Sequence, residues 1–175
     1  ASLLDLDKEF VLPLGKRDPR FKKGGTYGWY DLNAMDIATA IQWQAEKMKK
    51  NGDTKIKGKL PDGRDFEFKS VAPFVPTDNP TIKVLADFLI RTIKDTDIDR
   101  YDKMGLTTKR TQEIQRITEF VQSLDYVGEN DNDFNRHPLL TLFNEGSDCN
   151  NKTILWSALL AARKIDHAIL YVPNK

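Results

Sequence analysis

The sequence predicts an α+β chain. Two observations carry that expectation: apolar residues recur at spacings of three and four in four separate stretches, and two runs alternate or concentrate apolar residues as strands do. The chain has 175 residues, enough for one sizeable domain or two small ones. Lys+Arg number 27 and Asp+Glu 26, a net charge of +1, so no global field argues for nucleic acid or an anionic membrane as partner. No apolar run approaches the roughly 20 residues of a membrane span.

Residues 1–30 are rich in Gly, Pro and basic side chains and read as a loop or arm, with a short strand at Phe10, Val11 and Leu12. The basic stretch 15–25 reads as a solvated arm rather than a phosphate site, and Trp29 and Tyr30 as core or staple residues rather than a stacking surface. A helix follows, with Ala34, Ala38, Ile41, Ala45 and Met48 on one stripe, Asp31 or Asn33 as cap, lysines in its last turn and Gly52 at its end. Residues 54–71 alternate about Pro61-Asp62-Gly63, a hairpin signal. The segment 72–80 holds three prolines and reads as a linker, dividing the chain into regions 1–73 and 74–175.

A second helix is expected over about Thr81–Lys94, through Ile82, Leu85, Leu89 and Ile93. The Asp-rich stretch 95–105 reads as a loop; it lacks the glycine and terminal glutamate of a calcium-binding EF-hand, and Asp97 and Asp99 are expected to solvate it. A third helix, about Thr107–Leu124, aligns Ile114, Ile117, Val121 and Leu124. A polar loop runs over 128–138. A fourth helix starts near Cys149 with Ile154, Leu155, Ala158, Leu159 and Ala162, and residues 167–172 read as a buried strand.

The single cysteine, Cys149, excludes an internal disulfide and a Cys-rich zinc site, and the two histidines, His137 and His167, leave little room for a His-based metal site. No cofactor or metal is implied. A cysteine that opens a helix faces unsatisfied backbone N–H groups and the positive end of the helix dipole, which favour thiolate over thiol. The same N–H groups can hold an oxyanion when a carbonyl is attacked. The other fate of such a thiol is a small buried core residue.

The stretch 137–173 resembles the catalytic core of bacterial transglutaminase-like cysteine peptidase domains in Pro138, Thr141, Leu142, Asp148, Cys149, Lys152, Leu155, Leu159 and Leu160. Residues 120–126 and 78–89 resemble segments that precede that core, so the likeness spans about 74–173. It implies a papain-like helical lobe on an antiparallel sheet that is incomplete here. It further implies Cys149 as nucleophile toward a peptide or protein substrate, Asp148 as a structural acid, Gln122 as a group near the oxyanion, and the bacterial envelope as location. The chain departs from the pattern at Ser147, Asn150, Asn151 and Lys164. No histidine occupies the place of the general base. His167 would start at the far end of a helix about 23 Å long, and His137 lies in a loop before it. The base is therefore expected from residues past Lys175 or from a partner chain pairing with the C-terminal strand; alternatively, the domain binds a partner without cutting it.

Overall fold

The computed structural model describes residues 10–13, 22–23, 26–27, 29–32, 34–52, 54–126, 135–143 and 146–172. Four short strands come first: β1 (Phe10–Pro13), β2 (Lys22–Lys23), β3 (Thr26–Tyr27) and β4 (Trp29–Leu32). β1 pairs antiparallel with β4, Phe10 opposite Leu32, and β2 with β3. The expected strand at residues 10–12 is present, whereas most of the basic arm lies outside the described residues. The side chains of Trp29 and Tyr30, and the caps Asp31 and Asn33, also fall outside what is described.

α1 (Ala34–Asn51) forms where the periodicity places it, with Lys49 and Lys50 in its last turn beside the exposed carbonyls. Its buried face differs from the expected stripe. Ile37 and Ala40 enter the core with Ile41 packed beside them, while Ala45 and Met48 are exposed. Small alanines on two faces hid the one large buried residue, Ile37.

β5 (Lys55–Lys59) and β6 (Asp65–Lys69) form the predicted antiparallel hairpin, Lys55 opposite Lys69 and Lys59 opposite Asp65. Gly63 takes φ +88° in its turn, a conformation that suits a residue without Cβ. The proline-rich stretch read as a linker follows. It makes a 3-10 turn over Ala72–Phe74 and buries Val71, Phe74 and Pro76.

α2 (Pro80–Arg91) has a proline at its first turn, and the Asn79 side chain accepts from the N–H groups of Thr81 and Ile82, a cap worth about 1 kcal/mol. The stretch read as an Asp-rich loop is a helix, α3 (Asp95–Lys103). Asp97 is its organiser: buried, its carboxylate accepts from Lys94 N–H at 3.0 Å and lies 3.6 Å from Arg100. Tyr101 is fully buried one turn on. A local cap and one aromatic anchor thus outweigh the composition.

α4 (Lys109–Ser123) is capped by Thr108, which exchanges hydrogen bonds with Thr111. It buries Ile117, Phe120 and Val121 as its period predicts, and also Arg116. The Arg116 guanidinium donates to Leu89 O at 3.0 Å and Thr92 Oγ1 at 2.7 Å, placing a cation on the C-terminal end of α2. β7 (Asp125–Tyr126) pairs parallel with β8 (Gly146–Ser147). Between them α5 (Pro138–Phe143) adds Leu139, Leu140 and Leu142 to the core, in a stretch given no helix from its sequence.

α6 (Cys149–Ala162) begins at the cysteine, as its pattern predicts, and is the hub. α2, α4 and α5 pack on it, and Ile37 and Ala40 of α1 join the same core cluster as Leu85, Ile117 and Leu155. The described part is therefore a mixed α+β structure with six helices and four two-stranded ladders. None of the helices is long and apolar enough to cross a membrane.

Residues 167–172 are neither helix nor strand, and they are not buried as expected: Leu170 is 84% exposed and Val172 68%. The stretch makes no backbone ladder among the described residues.

Candidate functional site

The pairing of β7 with β8 brings the C-terminal end of α4 to the start of α6. Lys152 reinforces it, its ammonium donating to Leu124 O at 2.5 Å. Gln122 sits on this end of α4 with an exposed side chain, and Asp148 and Cys149 sit at the facing start of α6. Lys152 is the residue whose role the sequence left unread; a cation four residues into a helix gives no signal of the carbonyl it reaches.

Asp148 is the N-cap. It is buried, and its Oδ1 accepts from Asn151 N–H at 2.9 Å. The cap fixes where α6 begins. Cys149 then occupies the first helical position with its thiol exposed. Its Sγ lies 4.0 Å from Asn150 Oδ1. Thr153, one turn further, donates from Oγ1 to Cys149 O at 2.8 Å. Cys149, Thr153 and Trp156 follow at spacings of four and three, so they share one face of α6.

The opposite side of the first turn is closed. Asn151 is buried and its Oδ1 accepts from Arg136 N–H at 2.7 Å. Next in the chain, His137 N–H donates to Gln44 of α1 at 2.8 Å, and its Nδ1 accepts from Leu139 N–H at 3.1 Å. His137 is 2% exposed and meets the Trp43 ring edge-on. Burial lowers its pKa to about 4, so the ring is neutral near pH 7. It serves as the N-terminal acceptor of α5, away from the exposed thiol.

His167 is tied elsewhere. Nε2 lies 2.6 Å from Ser157 Oγ and Nδ1 2.7 Å from Ile165 O. Ser157 is eight residues past Cys149, roughly 12 Å along the helix. Both imidazoles are thus occupied in holding the fold. Among the described residues no cluster of three or more His, Cys, Asp and Glu is placed to hold a metal ion.

A cleft of about 440 Å³ opens one turn beyond Cys149. Thr153 and Trp156 form one wall, Leu160, Ile165 and Ile114 the floor, and residues 167–170 the other wall. What the arrangement offers chemically is an accessible thiol on a capped helix start, beside an apolar cleft. Comparisons of the chain with protein-family models, with curated proteins and with solved structures gave no match.

Proposed function

We propose that Cys149 is the nucleophile of a thiol-dependent acyl-transfer site acting on a peptide or amide bond. Sγ attacks the carbonyl carbon, the helix N–H groups receive the oxyanion, and the C–N bond breaks with a proton passing to the departing amine. The resulting thioester is opened by water or by another amine. The general base is a group outside the described residues. The observation that carries this reading is the exposed thiol at the first position of α6, set there by the buried Asp148 cap. The resemblance to transglutaminase-like cysteine peptidases supports it, including Gln122 on the facing helix end.

The test is alkylation by iodoacetamide at about pH 6, compared with glutathione. Cys149 should react on the order of tenfold faster than the free thiol. A rate no greater than glutathione's would sink the reading. A second reading is a partner-binding module of the same architecture without catalysis. It draws on one observation, that both histidines of the chain are committed to structural hydrogen bonds. Under it, Cys149→Ala leaves partner binding intact.

A further inference from the structure

The residues that follow α6 alternate in their surroundings. Ile169 and Tyr171 pack on Val71, Phe74 and Ile154; the Tyr171 ring meets Phe68 of the hairpin at a 42° tilt, centroids 5.4 Å apart, and its hydroxyl accepts from Val71 N–H at 3.1 Å. His167, itself exposed, is held to Ser157 Oγ at 2.6 Å. Ala168, Leu170 and Val172 face out and are exposed. A period of two is the side-chain period of a strand. Yet the backbone of this stretch has no ladder partner among the described residues.

Clefts flank it on both sides. The 440 Å³ cleft is lined by this stretch together with Thr153, Trp156 and Leu160 of α6 and Ile114 of α4, and a second of about 350 Å³ by this stretch with Ile56 of β5 and Val75. Ile56, Trp156, Leu170 and Val172 are all exposed apolar residues; Trp156 and Leu170 line the first cleft and Ile56 the second. α6 itself carries apolar residues around its circumference rather than in a stripe, the pattern of a helix covered on every side. Its Cys149–Thr153–Trp156 face is the uncovered one.

We propose that His167–Val172 is an open strand position, filled by an extended apolar peptide segment of a partner protein. The segment pairs with the 167–172 backbone and lays alternate side chains into the cleft against Trp156, Leu160 and Ile165. A helix in the same cleft would cover the side chains but leave the amides without partners, which is why a strand fits better. Six residues give it about 20 Å of ladder, an ordinary strand length. Charge sets its direction. Asp166 is the only charged residue lining the larger cleft and makes no ion pair or hydrogen bond among the described residues, so the partner segment is uncharged except for a basic residue at the end that meets Asp166. Nothing in this requires Cys149 to react, so the inference goes beyond the acyl-transfer reading.

The test uses the Cys149→Ala protein, which removes thiol chemistry, and a fluorescein-labelled peptide, Lys-Val-Thr-Val-Tyr-Val-amide. Fluorescence anisotropy should show saturable binding. It should weaken at least about tenfold when alternate peptide nitrogens are methylated, and by a similar factor in Leu170→Asp, whose exposed position leaves the fold intact. Amides within 168–172 should gain hydrogen-exchange protection on binding. Three results would overturn the proposal: no saturable binding up to millimolar peptide, equal binding of the methylated peptide, or self-association of the chain through this patch in sedimentation, which would make a second copy the occupant.

Discussion

α2 and α6 bury apolar faces in the same core, but they meet water differently. α2 is amphipathic: Ile82, Leu85, Ala86 and Leu89 point inward, while Lys83 and Asp87 form an exposed ion pair on the other side and Arg163 joins Asp87 at 2.7 Å. Burial alone would raise the Asp87 pKa, but hydrogen bonds from Arg163 and Lys83 outweigh it and hold the carboxyl below the usual range. α6 has a single charged residue, Lys152, and its outer face ends in a half-exposed tryptophan. The difference teaches which surface is finished. The solvent side of α2 carries an ion pair, whereas that of α6 carries an uncharged face with an exposed tryptophan.

The strongest way to break this comparison is from inside. Leu85 and Leu155 are both fully buried, so Leu85→Ala and Leu155→Ala should each cost about 2–5 kcal/mol, read from urea unfolding. A large gap between them would mean that the two inner faces are not equivalent. A smaller effect tests the closed side of the α6 start. The folded-state pKa of His137, about 4, lies below the ordinary 6.5. Above pH 6.5 the ring is neutral whether folded or unfolded and contributes nothing. As pH falls from 6.5 through 4, the unfolded chain takes up a proton that the folded ring refuses, so stability drops by roughly 3 kcal/mol. His137→Asn keeps an acceptor for Leu139 N–H and should remove most of that drop when the two proteins' unfolding midpoints are compared across this range. The smallest effect sharpens the comparison from outside. Val84→Lys on α2 and Trp156→Lys on α6 should each move stability by only about 0.5 kcal/mol. Of the two, only Trp156→Lys should weaken peptide binding.

Elements with a long apolar period were legible in the sequence: α1, α2, α4 and α6 all formed, and the Pro-Asp-Gly turn announced the hairpin. Elements held by one buried group were not. α3 depends on the Asp97 cap and on Tyr101, and α5 on His137, whose contact partner Gln44 lies 93 residues away. The 3-10 turn depends on Phe74, a single large residue among prolines. Residues 167–172 failed in the opposite sense. Their composition is that of a strand, but a strand needs a partner, and the partner is not written in the segment itself. Of the candidate site, the helix start at Cys149 was legible because it follows from a local apolar pattern, while the Asp148 cap was not read. The spent state of both histidines was not, because His137 is enclosed by Trp43 and Gln44 of α1 and His167 is held by Ser157, ten residues back on α6.

The hydrogen bond from Val71 N–H to Tyr171 joins residues 100 positions apart. Closing a loop of that size costs roughly 2 kcal/mol more than closing one of ten residues. The hairpin and the 3-10 turn have no local means of recovering it. Their apolar side is covered by Ile154, Ile169 and Tyr171, which a ribosome supplies only when the rest of the described chain has already emerged. Until then, β5 and β6 wait on a residue made a hundred positions after Val71.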